Sequence, residues 1–184
     1  VIYVVGGSSG AEKINNIIIE TLPELLTRYQ IIHQTGEKNF KEVSASASLV
    51  LEKSPHAARY VPLPYLNNLA TRMAAGAATL IVSRAGSSIF EIASWGVPSI
   101  IIPITNSNGD HQRKNAYSYA RTGACEVIEE NNLSPHVLIA DIDKIIANKQ
   151  KIENMKKSAL AFASPNAAGM IAQAALDIAL SHES

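Results

Sequence analysis

Cysteine is all but missing from this chain. Cys125 is the only one among 184 residues, so no disulfide can close within it, and that usage fits a reducing compartment. Neither sign of charge is in excess. Lys+Arg and Asp+Glu each number 16, and with no long basic run there is no general field to recruit nucleic acid. No apolar run approaches the roughly 20 residues of a membrane-spanning helix. His33, His56, His136 and His182 are scattered, and no H-x-x-x-H or C-x-x-C pair points to a metal site. A G-x-S-x-G hydrolase elbow is also lacking.

What is present reads as one soluble globular domain over residues 1–184. The chain is 47% hydrophobic and 17% charged, enough apolar material for a sizeable core. It opens inside a strand-like run, Val1-Ile2-Tyr3-Val4-Val5, without the charged and apolar regions of a signal peptide. Such an abrupt start reads as one half of a longer chain.

Short Val/Ile-rich runs alternate with segments of helical period. Strands are expected at Val1–Val5, Tyr29–His33, Ala58–Val61, Thr79–Val82, Ser99–Ile102 and Cys125–Ile128. Helices are expected at Ala11–Leu26, Glu37–Ala47, Tyr65–Ala77, Ser87–Ser94, Asp110–Thr122, Ser134–Asn148, Gln150–Ala163 and Pro165–Leu180. Pro62-Leu63-Pro64 is expected to break the chain. The C-terminal helices read as covering layers, with Ser181–Ser184 fraying. Strands without polar alternation suit a parallel sheet covered on both faces. The fold class is therefore α/β, a doubly wound parallel, Rossmann-like sheet. Right-handed crossovers place every strand C-terminus on one edge, where ligands bind in such sheets.

Three polar turns follow strands and so fall on that edge. Gly6-Gly7-Ser8-Ser9-Gly10 opens the first helix, and its free N–H groups suit phosphate. It matches neither G-x-G-x-x-G nor a Walker loop, and a tight connection is an equal reading. Gly86-Ser87-Ser88 opens a second helix, and Glu91, one turn in, can reach back with a carboxylate suited to ribose hydroxyls. Alone, Glu91 would be a solvated helix carboxylate. Ser87 and Ser88 can serve as N-caps while donating to phosphate, and Arg84 can salt-bridge structurally or contact a phosphate, the structural role being the favoured reading. Asp110 reads as the N-cap of a third helix, where His111 and Gln112 carry donors and acceptors for sugar hydroxyls. Asn115, a turn on, shares that face or caps a loop. Trp95 and Phe90 read as packing residues, and Cys125 as inert.

In this order the motifs Gly-Gly-Ser-x-Gly-Ala, Ser-Arg-Ala-Gly…Glu-Ile-Ala…Gly-x-Pro-x-Ile-x-x-Pro and His-Gln-x-x-Asn-Ala resemble the MurG family, most clearly from Val5 to about Ile128. The resemblance implies the C-terminal, donor-binding half of a two-domain GT-B transferase. Such enzymes move GlcNAc from UDP-GlcNAc to lipid I, with inversion, to give lipid II for peptidoglycan. It also implies roles for individual residues. Gly7, Ser8, Ser9 and Gly10 would lie near the donor diphosphate. Gly86, Ser87, Ser88 and Ile89 would form the second phosphate-side turn, and Glu91 would hold the ribose. His111 and Gln112 would read the GlcNAc hydroxyls with Asn115 on the same helix, and Leu66 would belong to a uracil pocket near Val61–Leu66. From Gly86 to Glu91 the chain is one residue shorter than the usual family spacing, and Pro62–Asn68 looks like an insertion.

The implied base lies in the N-terminal half, which is not in this sequence, so no catalytic residue is assigned here. No cofactor and no tightly bound metal are implied. The implied partners are UDP-GlcNAc and, through the other half, lipid I, without nucleic acid. The resemblance places the full-length protein in the cytoplasm, peripheral on the inner membrane, with membrane contact made only by the full-length form. Three rival readings stand beside this one: a donor subunit working with a separate acceptor-binding protein, a sugar epimerase, for which no paired acids argue, and a nucleotide-binding module without catalysis.

Overall fold

The structure is a computed structural model that describes residues 1–6, 12–105, 110–163 and 166–181. Six strands run in chain order: β1 (Ile2–Val5), β2 (Ile31–Gln34), β3 (Tyr60–Leu63), β4 (Leu80–Arg84), β5 (Ser99–Ile102) and β6 (Cys125–Val127). They form one sheet in the order β3-β2-β1-β4-β5-β6, and every pairing is parallel. The strand order reverses between β1 and β4, which makes their carboxyl ends the topological switch point.

Alternation along the strands feeds two cores. Ile2, Val4, Leu80, Val82, Ile100 and Ile102 face α1 (Glu12–Leu25), α2 (Phe40–Val50) and α6 (Pro135–Ile146), meeting Ile14, Ile18, Leu22, Ala47, Leu138 and Ile142. Tyr3, Ile81 and Ile101 face the other way. They meet α3 (Asn68–Ala77), α4 (Ser88–Trp95), α5 (His111–Ala120) and α7 (Lys149–Phe162) through Ala75, Ile89, Ile92, Ala116, Tyr119 and Ala159. Each fully buried Ile or Leu contributes about 1.5–3 kcal/mol.

Pro62 does not break the chain; it lies inside β3, opposite His33 of β2. β3 is an edge strand, where a missing N–H leaves no central ladder bond unmade. The helix expected from Tyr65 starts instead at Asn68, because the Asn67 side chain accepts from the Ala70 N–H at 2.9 Å and caps it. α6 and α7 cover the sheet as expected, but α8 (Ala167–Ser181) does not. Its described side chains are exposed, Met170, Ile171, Leu176, Ile178 and Leu180 among them. Pro165 and residues 182–184 lie outside the described residues. Among the described residues, no helix is long and apolar enough to cross a membrane.

Candidate functional site

The carboxyl ends of β1, β2 and β4 deliver Val5, Gln34 and Arg84 to a cleft of about 420 Å³ at the switch point. Its walls come from two helix openings. The turn before α3 and its first residues supply Tyr65, Leu66, Asn68 and Thr71; the β4–α4 turn and α4 supply Gly86, Ser87, Ser88, Glu91 and Trp95. Gln112 of α5 closes one end. Leu66, Gly86, Ser87, Ser88, Glu91 and Gln112, expected on this edge from sequence, are thus brought together.

Other expected residues stand elsewhere. Ile89 is buried in the core, and its N–H is taken by the Gly86 carbonyl at 3.2 Å. His111 and Asn115 are exposed on α5 outside the cleft lining. Gly7, Ser8, Ser9 and Gly10 lie outside the described residues, so the loop assigned to phosphate is not described.

The β4–α4 turn is built from hydroxyls. Ser83 and Ser88 both donate to the Arg84 carbonyl, at 3.1 and 3.3 Å, and their oxygens are 3.2 Å apart. Ser87 stands at the N-cap position with helical angles. Among the described residues neither Ser87 nor Asp110 makes a side-chain capping bond, which corrects the capping roles expected of them. Asp110 instead holds φ +58° immediately before His111, a left-handed conformation that an Asp tolerates better than most residues. Among the described residues, a methyl group placed on Gly86 would meet nothing within 4 Å.

Gln112 is held by the strand edge: its Oε1 accepts from the Ile104 N–H at 3.2 Å. Arg113, next to it, pairs with Glu129 at 3.1 Å, and Tyr117 donates to the same carboxylate at 2.8 Å. That pairing orients the exposed face of α5 against the segment after β6. Arg84 lines both the cleft and a second depression bordered by Glu12, Lys13, Asn16, Ile104 and Glu130.

The floor of the cleft was not legible as such. Tyr3 is fully buried yet borders the cleft, and its hydroxyl donates to Gln34 Oε1 at 3.1 Å. Burial, with the nearby Glu91 carboxylate, pushes the Tyr3 phenol up to about 12, so it stays protonated. Trp95 packs on the core and also borders the cleft, whereas Phe90 stacks on Phe162 with ring centres 6.1 Å apart. The signal that could have found Gln34 is its place at a strand end on the ligand edge. Cys125 is buried and its thiol is pushed up to about 12, chiefly by burial, so it holds little thiolate at neutral pH. Among the described residues, no three His, Cys, Asp or Glu side chains gather as a metal site.

Comparison with known proteins places this geometry. The model of the glycosyltransferase family 28 C-terminal domain matches residues 1–171. A UDP-N-acetylglucosamine–N-acetylmuramyl-(pentapeptide) pyrophosphoryl-undecaprenol N-acetylglucosamine transferase from Pediococcus pentosaceus is 36% identical over 169 residues, covering 91% of this chain and 45% of the relative. Its counterpart from Levilactobacillus brevis is 37% identical over 172 residues, covering 92% and 46%. Among solved structures, Acinetobacter baumannii MurG superposes with a TM-score of 0.76 at 29% identity, over 92% of this chain and 47% of that one. The C-terminal CMP-Kdo binding domain of WaaA from the same organism shares the fold, with a TM-score of 0.63 at 13% identity, over 86% of each chain. The chain spans less than half the length of the curated relatives it matches. On the match over residues 1–171 and these relatives, the chain belongs to glycosyltransferase family 28, of which it spans the C-terminal domain.

Proposed function

We propose that this chain is the donor-binding half of a transferase that moves GlcNAc from UDP-GlcNAc to lipid I. The observation that carries the reading is the convergence of Leu66, Gly86, Ser87, Ser88, Glu91 and Gln112 on one cleft at the switch point. The base lies toward Leu66, the ribose hydroxyls on Glu91 and the diphosphate against the opening of α4. The Ile89 and Phe90 N–H groups there are held by the Gly86 and Ser87 carbonyls, and the positive dipole end of the helix favours an anion. Among the described residues nothing stands within 4 Å of a Cβ placed on Gly86, which supports a phosphate there. Gln112 reads the sugar at that end of the cleft, next to the helix face that carries His111 and Asn115 outside its lining. No resident metal is part of this reading.

In the reaction a base outside this chain takes the proton of the acceptor 4-hydroxyl. The acceptor oxygen then bonds to the anomeric carbon as the bond to the diphosphate breaks, and UDP leaves with the electron pair. This half stabilises the charge gathering on the leaving diphosphate. The full-length protein meets lipid I and the cytoplasmic face of the inner membrane through its other half.

Calorimetry of the 184-residue chain with UDP, UDP-GlcNAc and ADP tests the reading. The uridine ligands are expected to bind more tightly than ADP, without sugar transfer by this chain alone. Tighter ADP binding, or turnover by this chain, overturns it.

A further inference from the structure

Two consecutive carboxylates hold both described ends of the connection from β5 to α5. Thr105, three residues past β5, donates its N–H to Glu130 Oε2 at 3.0 Å, and its hydroxyl donates to the same oxygen at 3.1 Å. Glu129 holds the other end: its Oε1 accepts from Arg113 Nε at 3.1 Å and from the Tyr117 hydroxyl at 2.8 Å, both on α5. The two carboxylates stand at the start of the short turn that follows β6. That turn is firmly seated. Ile128 before it and Leu133 after it are buried in the core. The Ile128 N–H donates to the Ile101 carbonyl of β5 at 3.1 Å, and Lys13 of α1 donates to the Glu130 carbonyl. Gln112 stands between the two anchors, and its Oε1 takes the N–H of Ile104, the residue before Thr105.

We propose that Glu130 and Glu129 are positioning residues for recognition of the donor sugar, acting through Gln112. This rests on the reading that Gln112 meets the sugar. Glu130 fixes Thr105 and with it the Ile104 N–H, from which the Gln112 side chain takes its orientation. Glu129 fixes the helix from which Gln112 projects. Hydrogen bonds to sugar hydroxyls are directional, and such a site discriminates only while its groups are held to within about 0.5 Å. Glu129, Glu130 and Thr105 are not among the residues that line the cleft. Releasing them therefore leaves the contacts to the nucleotide in place and blurs the distinction between sugars.

The readout is the ratio of UDP-GlcNAc to UDP-GalNAc affinity for the 184-residue chain, measured with the UDP affinity and melting temperature of each variant. Glu130→Ala is expected to lower the ratio by about three- to tenfold, the range a single hydrogen bond supports, with UDP affinity unchanged. Glu130→Gln keeps an oxygen for the Thr105 N–H and is expected to restore the ratio. Glu129→Ala is expected to lower it as Glu130→Ala does, and decides the question if Glu130→Ala does not fold. In a Gln112→Ala background Glu130→Ala is expected to add nothing, because residues that act through one another are not additive. A ratio left intact by the folded variants, a loss for UDP as large as for UDP-GlcNAc, no rescue by Glu130→Gln, or full additivity with Gln112→Ala each overturns the proposal alone. A wild-type chain that binds the two nucleotide sugars equally overturns the placement of the sugar at Gln112, and the proposal with it.

Discussion

His33 Nε2 lies 3.0 Å from Asn15 Oδ1, inside the protein and away from water. The Asn15 amide group donates to the Thr35 carbonyl at 3.1 Å, so its oxygen faces His33 as an acceptor. The imidazole therefore carries its proton on Nε2, and Nδ1 accepts from the Tyr60 hydroxyl at 2.9 Å. A second proton on Nδ1 would break its acceptance of the Tyr60 hydroxyl, and burial holds the ring neutral by pushing its pKa down to about 3.

That arrangement makes stability depend on pH. An unfolded histidine titrates near 6.5 and the folded one near 3, so below about 6.5 the unfolded state binds the extra proton. The contribution is full above that pH and is lost as pH falls toward 3, with a slope of about 1.4 kcal/mol per unit. Urea unfolding from pH 7.5 to 4.5 should show this extra slope in the native chain and not in His33→Gln. Parallel slopes would show that the ring is protonated in the fold.

Glu91→Ala should weaken UDP binding by about 1–3 kcal/mol, because ribose hydroxyls would then be desolvated without an acceptor. Glu153→Ala removes a surface carboxylate paired with Lys156 on α7 and should leave the affinity unchanged. Titration calorimetry of both variants is the check; equal affinities would remove Glu91 from the ribose site.

Gln112 is expected to bear on the sugar and not the nucleotide. Gln112→Ala should lower the preference for UDP-GlcNAc over UDP-GalNAc while UDP affinity holds. A site that hydrogen-bonds a hydroxyl discriminates strongly against its absence or inversion. Because Gln112 Oε1 also receives the Ile104 N–H, Gln112→Glu keeps that acceptor and separates support of the strand end from sugar reading. Competition binding measures all three. Loss of UDP itself with the sugar preference kept would refute the assignment.

Gly96 ends α4 at φ +63°, and a Cβ there would come within 2.8 Å of Leu160 Cγ. Gly96→Ala should cost about 1–3 kcal/mol, the range for a side chain held in the left-handed region. Adding Leu160→Ala should relieve the contact but not the backbone strain, so thermal denaturation should show partial recovery. Full recovery would assign the whole cost to the clash.

Much of the sheet was legible because its strands are aliphatic runs closed by Gly, Pro or polar turns, and Glu91 was legible because it stands one turn after Gly86. Pro62 misled, since tolerance of proline depends on β3 being an edge, and strand order is not written locally. The cleft floor was hidden for a related reason. Tyr3, Gln34 and Thr71 are far apart in the chain and meet only through the parallel pairing of β1 with β2 and the docking of α3. α8 has the composition of a covering helix, and nothing in its own residues reveals that its described side chains stay in solvent.

The division of the sheet into two faces has a practical side. Ile2, Tyr3 and Val4 are consecutive, but the outer two pack with α1, α2 and α6 while the middle one reaches the cleft. The pleat acts as a partition between a load-carrying side and a recognising side. A designer could refill the first with new aliphatic shapes and raise the melting point without redrawing the second. A one-residue slip of β1, by contrast, would exchange the two offices at once.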